Sequence, residues 1–159
     1  MKKYKKFIIT VIVLLIVLPI FVFCAYPKTP KEFITYQKDK VFTNKYVDKL
    51  EGVVSCEYEK IDRAYVFLGK KYSMGPTDPE YRGIITLSEE EGKKIFNSYD
   101  WHLDNTFNPS GMVGSIDTSY LNGDEWYFNY DFDNEYFYMG LGYVRFNGKD
   151  TIIFDQQMH

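Results

Sequence analysis

The sequence predicts an α+β protein: an N-terminal transmembrane helix followed by one extracytoplasmic domain, in which a long helix packs on a mainly antiparallel sheet ending in a four-stranded meander. Three observations carry this. A basic cluster runs straight into an uncharged apolar stretch from Phe7 to Tyr26. Helical spacing of apolar residues follows it, and the last third alternates aromatic runs with turn dipeptides. The expected boundaries are 1–26 for the anchor, 27–29 for a linker and 30–159 for the domain.

Twenty residues at a helical rise of about 1.5 Å reach roughly 30 Å, the thickness of a bilayer's hydrocarbon core. A cleaved signal peptide has the same order of parts but a shorter core, of about 7–15 residues, and small residues at its cleavage site. Here the bulky Phe23 stands two positions before Ala25, and Phe21-Val22-Phe23-Cys24 lacks the small residues that precede a lipid-modified cysteine. An uncleaved anchor is therefore preferred to a secreted product, with the bilayer contacting residues 7–26. Lys2, Lys3, Lys5 and Lys6 precede the segment, while Lys28 and Lys31 beyond it are partly offset by Glu32, so the N-terminus is expected in the cytoplasm and the rest outside.

The net charge of −3 hides an asymmetry: past the four leader lysines, 15 basic residues face 22 acidic ones. Such a domain should not seek nucleic acid or anionic headgroups. Only Cys24 and Cys56 are present, so no disulfide can form within the domain, and aromatics at 19% must supply the core instead. Cys56 alternates with Val54 and Tyr58 and reads as a small buried hydrophobe rather than a nucleophile.

Within the domain, Thr29, Pro30 and Glu32 compose a capping signal for a helix over Pro30 to Glu51, which Gly52 would end. Val53 to Tyr58 and Arg63 to Leu68 read as a hairpin about Glu59-Lys60-Ile61-Asp62. Lys70 to Tyr81, with Gly75, Pro76 and Pro79, reads as a loop. Gly83 to Leu87 is the next strand, and Ser88-Glu89-Glu90-Glu91 opens a short helix ending near Tyr99. Asn122-Gly123 and Asn147-Gly148 are type I′ hairpin signals, and Asp133-Asn134 is a third turn. The strands between would be Val113 to Leu121, Glu125 to Asp131, Glu135 to Phe146 and Thr151 to Asp155.

Few constellations carry chemistry. Asp100, His102 and Asp104 alternate and would offer a metal one nitrogen and two oxygens if extended, but the second histidine is the terminal His159, and no metal or cofactor is expected. Asp131, Asp133 and Glu135 alternate similarly. A calcium loop would need glycine at its sixth place and glutamate at its twelfth, where Tyr136 and Gly142 stand. Gly140 and Gly142 read as room for a cross-strand side chain. Eight of the thirteen residues from Trp126 to Tyr138 are aromatic. Helix cover over a sheet face accounts for part of that density. A contact surface for a protein or glycan accounts for the rest, with Trp126, Tyr127, Tyr136 and Tyr138 as the candidate binding residues. The leading expectation is thus a membrane-tethered, non-enzymatic binding domain that contacts a protein or envelope component. Its alternatives are a surface hydrolase drawing its acid and base from Asp104, Asp131 or Glu135, and a small acidic inhibitor or immunity-type protein.

Overall fold

The computed structural model describes residues 4, 11–13, 15–19, 29–73, 79–110, 113–137 and 142–157. It is an α+β fold with a mainly antiparallel sheet, divided into two compact units: Met1–Lys31 with Arg63–Pro76, and Glu32–Asp62 with Thr77–His159.

In the first unit, residues 11–13 and 15–19 are helical and expose Val11, Ile12, Val13 and Leu15 to Leu18. Among the described residues no helix is long and apolar enough to cross a membrane, and most of the expected anchor over 7–26 lies outside them. The rest of the unit is a hairpin: the end of strand β2 (Val53–Phe67) pairs with β3 (Lys70–Ser73), Ala64 opposite Ser73 and Phe67 opposite Lys70. Leu68 and Gly69, both at positive φ (49° and 74°), form its two-residue turn. The stretch expected as a loop over Lys70 to Tyr81 therefore holds a strand at each end.

In the second unit the expected helix over Pro30 to Glu51 is replaced by β1 (Lys31–Lys38) and the short α1 (Val41–Tyr46). Phe33-Ile34-Thr35-Tyr36 is β-branched and aromatic, which suits a strand. Asp39 then accepts the Val41 amide at 2.9 Å and starts the helix afresh. The expected hairpin about Glu59 to Asp62 is instead continuous strand. The period of two persists through it, Cys56 and Tyr58 facing one way and Glu57 and Glu59 the other. Strand β4 (Glu80–Leu87) pairs antiparallel with β2, Glu59 opposite Arg82. Helix α2 (Glu89–Ser98) begins as expected, with the Ser88 hydroxyl accepting the Glu91 amide at 3.3 Å.

The last third departs most from expectation. Strands β5 (His102–Leu103) and β6 (Tyr127–Phe128) are two residues each, and Ser119–Leu121 is a 3-10 turn where a strand was expected. Asp133-Asn134, expected as a turn, lies inside helix α3 (Tyr130–Tyr136). That helix is capped by Asn129, whose Oδ1 accepts the Phe132 amide at 2.9 Å. Gly123 has the expected positive φ of 92°, but Asn122 sits at φ −66°, ψ 126°. The pair makes a type II turn after a 3-10 turn and joins no strands. Asn147-Gly148 does join β7 (Gly142–Phe146) to β8 (Thr151–Gln157), but not as the expected type I′ turn: Gly148 has positive φ (74°) and Asn147 does not, and the Asn147 side chain holds a loop over 147–150 by accepting the amides of Lys149, Asp150 and Thr151.

The sheet runs β1-β2-β4-β8-β7-β6-β5, so β5 to β8 do pair in chain order, though mostly from residues other than those expected. No long helix crosses it: α2, at ten residues, is the longest of the three described in this unit. Instead Phe42 of α1, Ile95 of α2 and Phe132 of α3 join Cys56, Tyr58, Ile85, Phe146, Ile152 and Phe154 in a larger core on one sheet face. A smaller core of Ile84, Val113, Ile116, Leu121, Trp126 and Ile153 fills the other, and alternation along β8 sends Ile152 and Phe154 to one core and Ile153 to the other.

Candidate binding surface

Where α2 ends, the chain turns back through Tyr99, Asp100 and Trp101 into β5, and β5 pairs with β6. Two hydrogen bonds fix this return. The Trp101 indole N–H donates to the Ile95 carbonyl at 3.4 Å, and the Asn129 amide donates to the Asp100 carbonyl at 2.8 Å. The result is a stripe of half-buried aromatics at the margin of the larger core: Tyr127, Phe96, Trp101, Tyr99 and Tyr136. Tyr127 meets Phe96 edge-on at 5.3 Å, Phe96 stacks on Trp101 at 6.4 Å, and Tyr99 meets Trp101 edge-on at 5.9 Å. Phe132, fully buried, backs the stripe, 5.1 Å from Trp101 and 4.9 Å from Tyr136. Gly148 closes one end; a Cβ there would lie 3.1 Å from Phe96 and 3.2 Å from Tyr127.

Two hydroxyls of the stripe are tied to surface carboxylates. Tyr127 donates to Glu125 and Tyr99 to Glu135, each at 2.7 Å. The bond to Glu125 raises the Tyr127 pKa, and burial followed by the bond to Glu135 raises that of Tyr99, so both phenols stay protonated donors. Rigid aromatic faces with polar groups at their margins are what both sugar rings and protein side chains pack against.

Of the residues proposed from sequence, Tyr127 and Tyr136 lie on this stripe and Tyr138 lies outside the described residues. Trp126 does not join them: it is 2% exposed, packed in the smaller core against Phe107, so it offers no contact surface. Phe96, Tyr99 and Trp101 were not foreseen. Their signal was the i, i+3 spacing of Phe96 and Tyr99 at a helix end, on one face of the chain.

The candidate acids have other partners. Asp104 accepts from the Arg145 Nε at 2.7 Å and from the Thr106 hydroxyl at 2.7 Å. Although burial opposes ionisation, these bonds hold its pKa below the usual range. Arg145 in turn lies 5.1 Å over Phe128. His102 is exposed with its ring 5.5 Å from Phe128, and Asp100 is exposed. Among the described residues no three metal-ligating side chains gather. Asp131 and Glu135 are exposed on α3, whereas Asp133 is buried with its Oδ1 unpartnered. Burial pushes the Asp133 carboxyl up to about 7, against the pull of Arg145. Apart from the stripe, a recess of about 390 Å³ beside α1 is lined by Lys40, Thr43, Asn44, Asp48 and Val53, and the Lys40 ammonium there already donates to the Val53 carbonyl. No family model, curated protein or solved structure matches this chain.

Proposed function

We propose that this chain is a membrane-tethered extracytoplasmic binding module that contacts a protein or envelope glycan through the stripe of Tyr127, Phe96, Trp101, Tyr99 and Tyr136. The reading rests on one observation: these rings stay half-exposed although a fully buried aromatic core lies directly behind them, and two of their hydroxyls are held by carboxylates at the surface. The tether is supported by the uncharged run from Phe7 to Tyr26 behind four lysines, and by the exposed apolar side chains of its described helical residues. The test compares the full chain with Tyr127→Ala for retention on immobilised envelope fragments and surface proteins from the producing cell. Matched melting temperatures with retention several-fold weaker in the variant support the stripe as the contact surface. Equal retention by both, or retention by neither, refutes it.

A further inference from the structure

A two-residue hairpin turn favours asparagine or glycine where φ is positive, because a larger side chain crowds the backbone there. The hairpin of β2 and β3 has Leu68 in that place, at φ 49°, and leaves it 85% exposed. Leu68 thus serves neither the turn nor a core. Behind it on β3, Lys70 and Tyr72 share one face by the strand's period of two. Lys70 is exposed and forms no ion pair among the described residues, and Tyr72 is 44% exposed. We infer, on the reading of the leader as a tether, that this hairpin tip seats in the outer surface of the same bilayer, with Leu68 at the hydrocarbon boundary and Lys70 among anionic headgroups.

Topology, composition and depth agree on this occupant. Lys38 pairs with Glu57, and Lys40, two residues on, donates to the Val53 carbonyl, so β1 and β2 run antiparallel. The end of β2 therefore lies toward the start of β1, where the leader joins the sheet, and the leader and the hairpin belong to one compact unit. From Arg63 to Ser73 the chain carries three basic residues and no acidic one, whereas past the four leader lysines 15 basic residues face 22 acidic ones. The acidic excess expected to keep the domain off anionic headgroups is not shared by its hairpin, and repulsion of the remainder favours contact through this tip. Along β3, Tyr72 stands about 7 Å behind Lys70 at about 3.3 Å per residue. One headgroup layer is roughly 5–8 Å deep. A tip at the hydrocarbon boundary thus keeps the Tyr72 ring among the headgroups, where tyrosine is enriched, while the Lys70 stem carries its ammonium out to the same level.

Fluorescence quenching on the full chain tests the contact, in a Cys24→Ser background with Cys56 buried, reconstituted into vesicles of equal phosphatidylglycerol and phosphatidylcholine. A fluorophore is attached at Leu68→Cys and, in separate variants, at Leu15→Cys in the leader and at Asn122→Cys on an exposed turn. Lipids spin-labelled at shallow and deep positions of the acyl chain act as quenchers. Quenching at Leu68 should be several-fold stronger than at Asn122, and should fall to the Asn122 level with Lys70→Glu or in vesicles of phosphatidylcholine alone. Strong quenching at Leu15 with Leu68 no different from Asn122 overturns the inference and leaves the tether standing. Quenching at neither Leu15 nor Leu68 refutes both. Quenching at Leu68 that is indifferent to Lys70→Glu and to lipid charge overturns the recognition of anionic headgroups.

Discussion

Glu59 is 1% exposed, yet it is a carboxylate in the middle of a 15-residue strand. Both Nε and Nη2 of Arg82, its neighbour on β4, reach Glu59 Oε2 at 2.8 Å, and the Ser115 amide donates to Oε1 at 3.0 Å with the Ser115 hydroxyl beside it. Burial alone would raise the Glu59 pKa, but the Ser115 bonds and the Arg82 charge outweigh it and hold the carboxyl below its usual range. The two partners are not equivalent. The Arg82 side chain is 23% exposed and stands opposite Asp155 on β8, so it has water and a second carboxylate to turn to. Glu59 has neither. Arg82→Leu should therefore cost about 3–5 kcal/mol, the cost of stranding a buried charge. Glu59→Leu should cost only about 1–3 kcal/mol, mostly for the Ser115 amide left without an acceptor. Urea denaturation of the full chain at pH 7 measures both. The pH dependence separates them further. In the parent, a Glu59 pKa below its unfolded value of about 4.3 contributes stability that is present above that pH and lost as the pH falls through the folded value. Without Arg82 burial works against the Ser115 bonds alone and the pKa rises, so the variant should recover stability relative to the parent as the pH falls from 7. Equal costs for the two variants, or no recovery of Arg82→Leu on acidification, would refute this account of the pair.

Three further outcomes follow from the same structure. Asp133 is raised to about 7 by burial, so its stability contribution is complete below its ordinary pKa and declines as the pH rises through 7; Asp133→Asn should thus stabilise the chain by roughly 1–3 kcal/mol at pH 8 and leave it unchanged near pH 4, as thermal melts at the two pH values would show. Gly92→Ala, a change that favours an ordinary helix interior by about 1 kcal/mol, should instead destabilise, because a Cβ there would sit 1.7 Å from the Lys149 carbonyl oxygen; an unchanged or higher urea midpoint would contradict that packing. The Cys56 thiol, buried and pushed up to about 12 mainly by that burial, should resist a thiol reagent in the native chain and react fully in denaturant, and rapid native labelling would show the strand to be open.

Where local and tertiary preferences agree, the elements could be read directly. The Ser88 cap, the three carboxylates behind it and the β-branched run before it gave α2 and the end of β4, and the asparagine of Asn147-Gly148 holds its turn through its own side chain. Glu59 to Asp62 misled because charge was read as exposure, whereas the residue that neutralises Glu59 lies 23 positions further on. The stretch from Tyr127 to Tyr136 misled because aromatic density reads as strand, whereas Asn129 caps a helix that buries Phe132 completely, with Phe137 buried just past its end. The binding surface was half legible for a related reason. Aromatic content marks Tyr127 and Tyr136, but a stripe assembled from residues 96–101, 127 and 136 has no period along the chain. Nor does ring type separate surface from core, since Tyr58 and Tyr81 are as aromatic as Tyr127 and are buried. Nor does the hydroxyl's partner separate them: Tyr99 and Tyr127 end on carboxylates whose own residues are exposed, but so does buried Tyr58, which donates to Asp39 at 3.2 Å. What leaves Tyr99 and Tyr127 available to a partner is their place at the margin of the larger core, beside half-buried Phe96 and Trp101, rather than aromatic density or the acid that each hydroxyl meets.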